Sequence, residues 1–223
     1  MSNIFTSSIG KKLLMSLMGL FLISFLVVHL GINLLLIFSD SNESFNKAAH
    51  FMGTNKVVKV MEIILFGGFI LHMIFGIMLS IKNMISRPVG YKVANNEQSS
   101  FFSKYMFHTS IVITIFLVLH LFDFYIKAKF IGDVADVIYD GKHYHDLGTL
   151  VYQRFQMLGV VVFYILALLG LGFHLHHGFQ SAFQTLGLNH PVYTPIIKAI
   201  GTIYSIVVSV GFMAIPVAIY FFS

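Results

Sequence analysis

The chain has 223 residues, 57% of them hydrophobic and 10% charged, with a net charge of +5 and a mean hydropathy of +0.84. A sequence this apolar and this poor in charge is not a soluble globular domain. It has no cysteine, which excludes cysteine-ligated iron–sulfur clusters, disulfides and thioether-attached haem in this chain. No segment is basic enough to argue for nucleic acid, and the positive balance suits anionic lipid headgroups or an acidic partner surface.

A helix needs about 20 mostly apolar residues to cross a hydrocarbon core about 30 Å thick. Five stretches qualify: 13–38, 57–81, 105–126, 155–174 and 196–222. They are apolar on every face, without the alternation of a barrel strand, so they are expected to be helices. The first is too long for a signal-peptide core and lacks a small-residue cleavage site, so it is read as a retained span. It ends in the turn-forming run Ser39-Asp40-Ser41-Asn42-Glu43. The following residues 45–51, with Ala48, Ala49 and His50, suit a short interfacial helix. Arg87-Pro88-Val89-Gly90 marks a turn after the second span. Residues 132–148, with Asp133, Asp136, Asp140, Asp146, His143 and His145, form the most polar piece of the chain. Asn189-His190-Pro191 is a further turn, and Pro216 is expected to kink the fifth span. The whole chain, 1–223, reads as one all-α integral membrane domain.

Lysine and arginine do not settle the orientation. With the N-terminus in the cytoplasm, Lys11, Lys12, Lys82, Arg87, Lys92, Lys104 and Lys198 lie inside, and Lys47, Lys56, Lys59, Lys127, Lys129, Lys142 and Arg154 lie outside. Lys11 and Lys12, directly before the first span, favour a cytoplasmic N-terminus.

Four histidines fall one per span: His29, His72, His120 and His174. Each lies in the later half of its span. In helices that alternate in direction, His29 and His120 share one depth and His72 and His174 the other. Two opposed imidazoles at one depth are what a six-coordinate haem iron requires, so two haems are expected, separated by about 10–15 Å at 1.5 Å per residue. A single buried histidine is as readily an interhelical hydrogen bond. Four that pair by depth across four helices point to iron, since ionisable groups in the membrane are costly and functional. His176 faces about 200° and His177 about 300° from His174, so His177 is the alternative ligand. Gly19 and Gly31 flank His29, Gly67 and Gly68 precede His72, and Gly76 and Gly178 lie one turn beyond His72 and His174. These glycines allow close approach of either a macrocycle or another helix.

The chain resembles the cytochrome b membrane anchor of the succinate dehydrogenase and fumarate reductase family, in its five-helix, single-polypeptide, di-haem form. The matching segments are Ser16-Leu17-Met18-Gly19, His29-Leu30-Gly31-Ile32-Asn33 and Phe45-Asn46-Lys47-Ala48-Ala49-His50-Phe51-Met52. They continue with His72-Met73-Ile74-Phe75-Gly76, Val118-Leu119-His120 and His174-Leu175-His176-His177-Gly178-Phe179. The resemblance implies a helical bundle around two stacked, non-covalent b haems in the cytoplasmic (inner) membrane. It implies His29 and His120 on the distal, outer haem and His72 and His174 on the proximal one. Partners implied are an iron–sulfur subunit and a flavoprotein subunit, with electrons passing to or from menaquinone. Ser16 matches a serine near the proximal propionates, and Arg154 an arginine that neutralises a distal propionate. A guanidinium at the outer end of the fourth span suits a carboxylate on charge alone.

Two positions depart from the family. A catalytic glutamate of the first outer loop is replaced by the region of Phe45, Asn46 and His50, and a lysine beyond His174 by Gln184 and Thr185. Asn33 and His50 are the residues in matching segments suited to a quinone site, His50 because it exchanges protons near neutral pH. Alternatives are the di-haem quinone-linked anchor of another oxidoreductase, or a transporter or scaffold whose histidines bind metal or only hydrogen-bond.

Overall fold

The computed structural model describes residues 7–85, 105–132 and 134–222. Its elements are α1 Ser8–Phe38, α2 Glu43–Thr54, α3 Lys56–Ile85, α4 Met106–His120, a π-helical segment Leu121–Ile131, β1 Asp136–Tyr139, β2 Lys142–His145, α5 Leu147–Phe155, α6 Leu158–Thr185 and α7 Tyr193–Phe222. The turn expected at Arg87-Pro88-Val89-Gly90 and the position of Asp133 lie outside the described residues.

Five helices are long and apolar enough to cross a membrane: Ile9–Phe38, Lys56–Asn83, Met106–Ile131, Leu158–Thr185 and Tyr193–Phe222. In lipid a backbone must satisfy its own hydrogen bonds, which is why apolar length translates into helix. The observed boundaries differ from those expected where polar residues continue a helix. The fourth span starts at Leu158 rather than 155, because Met157 breaks the helix with φ −91° and ψ 110°. It runs on to Thr185, because His176, His177, Gln180 and Ser181 continue the helix beyond its apolar stretch instead of forming a loop. The third span does not stop near 126. It passes from α-helix to the wider π-helix at Leu121 and ends at Gly132, which takes a left-handed φ of 71°. The fifth span runs as one helix through Pro216.

The α6 helix packs on α1, α4 and α7, and α1 also packs on α3 and α7. Small residues set the α6–α7 spacing. A Cβ on Gly172 would lie 2.7 Å from Ser209 Oγ, so the backbones approach as closely as in other small-residue helix seams. The buried apolar cluster gathers towards one end of the bundle, with Leu36, Phe45, Phe155, Val161, Tyr164 and Ile219 among its members.

That end carries a polar cap. α2 packs on α5 and β2, and the β1–β2 hairpin closes with Asp140 and Gly141 at φ 51° and 73°. Positive φ at both central residues is the geometry of a type I′ hairpin turn. Buried Asn46 ties three elements together. Its Nδ2 donates to Asp146 Oδ1 at 2.9 Å and to the Tyr139 hydroxyl at 3.3 Å, and its Oδ1 accepts from Gly148 N at 2.8 Å. Asp146 also caps α5 by accepting from Thr149 N at 3.2 Å.

Asn46→Ala leaves the Gly148 amide and part of Asp146 without partners, which should destabilise the protein by about 1–3 kcal/mol; thermal unfolding in detergent measures it. Partial burial pushes the Asp146 carboxyl up, but the bonds from Thr149 and Asn46 outweigh it and hold the group below the usual carboxylate range. A depressed folded value means the stabilisation is present above the unfolded value, about 3.9, and is lost as pH falls through the folded one. Acid should therefore loosen the cap, and Asp146→Asn should remove that pH dependence.

Candidate functional site: two histidine pairs between helices

His29 comes from α1 and His120 from the last residue of α4. Their ring centroids are 5.8 Å apart, with ring planes at 87°. His72 comes from α3 and His174 from the middle of α6, at 6.3 Å and 72°. The ring opposite His72 is that of His174, not His177. No hydrogen bond joins the members of either pair among the described residues. Two imidazoles on opposite sides of one metal ion stand with ring centres roughly 6 Å apart, from metal–nitrogen bonds of about 2 Å plus about 1 Å from nitrogen to ring centre. Both pairs match that spacing.

The depth of each pair can be read from its neighbours. Ser110 Oγ approaches His174 Nδ1 at 3.5 Å, and the Tyr164 ring lies 6.2 Å from that of His120. On α4 and on α6 the two levels are therefore each ten residues apart, about 15 Å at 1.5 Å per residue. On α1, Met15 O lies 3.3 Å from His72 Nδ1. A Cβ on Gly19 would meet His72 Cε1 at 3.4 Å. Gly19 thus serves the pair on the other level from His29, because α3 runs antiparallel beside α1. Gly31, Gly67 and Gly76 have nothing within 4 Å of a Cβ position, while Gly68 faces Met18 and Gly178 faces Met106.

The contacts of the rings are made through Nδ1. A backbone carbonyl can only accept, so the approach to Met15 O makes His72 Nδ1 the protonated nitrogen and leaves Nε2 as the basic one, the tautomer a metal ligand needs. Asn33 Nδ2 donates to His29 O at 2.8 Å and lies 3.4 Å from His29 Nδ1, so its amide is engaged by the helix turn that carries His29. His120 Nδ1 is buried without a hydrogen-bond partner. Aromatic rings crowd this pair: Phe25 and Phe212 lie 5.2 and 5.5 Å from His29, and Phe116 and Phe124 lie 5.5 and 5.3 Å from His120. Among the described residues, no group of three or more His, Cys, Asp or Glu side chains gathers to hold a metal ion.

Ser16 is buried on α1 next to Met15, at the level of the His72–His174 pair. Arg154 is not on the fourth span but in the last turn of α5, and its Nε donates to Asp123 Oδ2 at 2.8 Å. Asp123 is buried, three residues past His120 on the π-helical segment. Tyr164, beside His120, has a buried hydroxyl without a hydrogen-bond partner. Neither residue is distinguishable from other loop charges or span aromatics by sequence pattern. His50 is exposed on α2, its ring 4.9 Å from Tyr144. Between α3 and the π-helical segment, Glu62 accepts from the Tyr125 hydroxyl and from Lys129 Nζ at 2.5 Å. His143, His145 and His190 are exposed, and His145 Nδ1 lies 2.9 Å from Asp136 Oδ1. His108 is exposed near the start of α4.

No protein-family model, no curated protein and no solved structure matches this chain.

Proposed function

We propose that the chain is a di-haem membrane cytochrome b, the quinone-reactive anchor of a succinate dehydrogenase or fumarate reductase complex. The observation that carries this reading is the spacing of the two cross-helix histidine pairs, each at metal-bridging distance and one behind the other along the bundle axis. Two b haems supply one-electron chemistry when bound. The protein's part is to hold them: His72 and His174 at the level nearer the N-terminus of α1, and His29 and His120 at the level nearer the cap. Ser16, buried at the level of the first pair, is suited to a propionate of that haem. Arg154 and Tyr164, one cationic and one with an unpaired hydroxyl, suit a propionate of the second. With the N-terminus cytoplasmic, the cap faces outward, and electrons pass between an iron–sulfur subunit inside and menaquinone outside, with succinate or fumarate handled by the flavoprotein subunit. A reduced-minus-oxidised absorbance spectrum of the purified protein tests the reading. Two b-type haems per chain are expected, and a spectrum without b-type bands overturns it in favour of a transporter or scaffold.

Quinone chemistry moves protons with electrons, so it needs a proton-exchanging side chain near the cap-side haem and reachable from lipid. With Asn33 engaged by His29 and His50 exposed against Tyr144, the groups that best meet both conditions are Glu62 and Tyr125. Glu62→Gln should lower quinone turnover by about 10²-fold, a typical general acid–base contribution, with both haems retained. His50→Ala is the comparison: a larger loss there returns the role to His50.

A further inference from the structure

The outer face of the β1–β2 hairpin has no part in the function above. Lys142-His143-Tyr144-His145 is strand β2, and a strand sends alternate side chains to opposite faces. His143 and His145 therefore share one face, and Tyr144 takes the other. The register sets Ile138 across from His143 and Asp136 across from His145, so these four residues share the outer face, and all four are exposed. The reverse face is pinned. Tyr144 packs its ring 4.9 Å from that of His50 on α2 and 5.7 Å from that of Tyr139. Lys47 of α2 donates to Asp140 at the turn, at 2.6 Å. Lys142, on the Tyr144 side of the strand, interacts electrostatically with the same carboxylate. The hairpin thus presents two imidazoles and one carboxylate from a fixed support, and no lysine or arginine shares their face of the two strands. Asp136 Oδ1 lies 2.9 Å from His145 Nδ1. A carboxylate only accepts, so Nδ1 carries the proton and a neutral His145 keeps its lone pair on Nε2. That is the tautomer of an imidazole that ligates a metal with a carboxylate behind it.

We propose that His143 and His145 form an open binding site for a divalent transition-metal cation of the Zn²⁺ and Cu²⁺ class, with Asp136 as the positioning residue for His145. Side chains two residues apart on one face of a strand start about 7 Å apart. Neighbouring nitrogens on one ion lie about 3 Å apart, from bonds of about 2 Å, a separation that two imidazoles reach by leaning together. Imidazole nitrogen suits Zn²⁺ and Cu²⁺, whereas Mg²⁺ and Ca²⁺ take oxygen ligands. Two protein ligands leave the remaining positions to water, so the ion exchanges with solution and is not built into the fold as a closed four-ligand zinc is. The site lies on the cap, outside the five apolar helices. It stands whether or not the buried histidine pairs hold haem.

The experiment uses the full chain, purified in detergent without a polyhistidine tag, and Cu²⁺ as the probe. One equivalent should bind with an electron paramagnetic resonance spectrum split by two nitrogens, and Zn²⁺ should displace it. Asp136→Ala should weaken binding by about 10–100-fold, the usual cost of losing the group behind a ligand, with both nitrogens still seen. His143→Asn and His145→Asn should each cost more and leave a single nitrogen. The three side chains are exposed, so without metal the variants should unfold at the temperature of the unaltered protein. His190→Asn, which removes an exposed histidine of another loop, should leave binding unchanged. A spectrum of one nitrogen in the unaltered protein, undiminished binding in any of the three hairpin variants, or loss of binding in His190→Asn overturns the proposal. Haem absorbance is read separately, and its absence overturns the haem reading alone.

Discussion

On the proposed di-haem reading, replacing His72 or His174 with alanine is expected to remove one and the same haem, and replacing His29 or His120 the other. The geometry makes this a strict pairing. Each ring is opposed by a single partner ring, at 6.3 Å for His72 and His174 and at 5.8 Å for His29 and His120. Among the described residues, the imidazole in ring contact with His72 is that of His174. Loss of one ligand of a six-coordinate iron leaves an open position and an unpaired imidazole in a nonaqueous core, so the expected outcome is loss of that absorbance component rather than a shifted one. Haem content and low-temperature spectra of the four variants measure it, after assembly has been checked by blotting. Loss of different components from the His72 and His174 variants would contradict the assignment.

The second large effect is expected from Arg154→Leu. It strands the buried carboxylate of Asp123, and breaking a buried ion pair by deleting one partner costs about 3–5 kcal/mol. The protein should unfold at markedly lower temperature, and Asp123→Asn in the same chain should recover most of the loss. Where the single variant assembles, the missing cation favours the more positive oxidised iron, so the cap-side potential should fall. On the proposed reading, the haem at the His72–His174 level, about 15 Å away along the bundle, should change little. Equal stability of the Arg154→Leu single and double variants would reduce the arginine to an interfacial contact.

The spans were legible in the sequence because lipid makes one demand, apolar length, and helices meet it without help from tertiary contacts. The pairing of the histidines was legible for a related reason: alternating direction converts position within a span into depth. The rest depended on contacts that pattern does not encode. Arg154 and Asp123 lie on different elements, and each alone looks like an interfacial charge. Nothing in Leu121–Ile131 announces a π-helix, and that geometry sets where Asp123 points relative to His120. Gly19 was grouped with His29 because they share a helix, whereas the neighbour that matters comes from the antiparallel α3. The hairpin has a signal in the sequence, Asp140-Gly141 between short β-prone runs, which the polar character of the whole loop obscures. Short α5 lies almost wholly in the loop expected before the fourth span, and only Phe155 belongs to both. The Met157 break carries no proline or glycine to mark it.

The cap ties together pieces of chain from either side of the second and third spans, with Asn46 bonded to residues about a hundred positions later. As the ribosome delivers the helices in order, α2 emerges long before Asp146 and Gly148 exist to receive it. The histidine pairs obey the same calendar: the His29–His120 pair gains its second ring with the third span, and the His72–His174 pair only with the fourth. On the proposed reading, prosthetic groups are therefore loaded into a nearly complete bundle. A chain stalled after the second span would carry His29 and His72 on adjacent helices at different depths, with neither histidine pair complete.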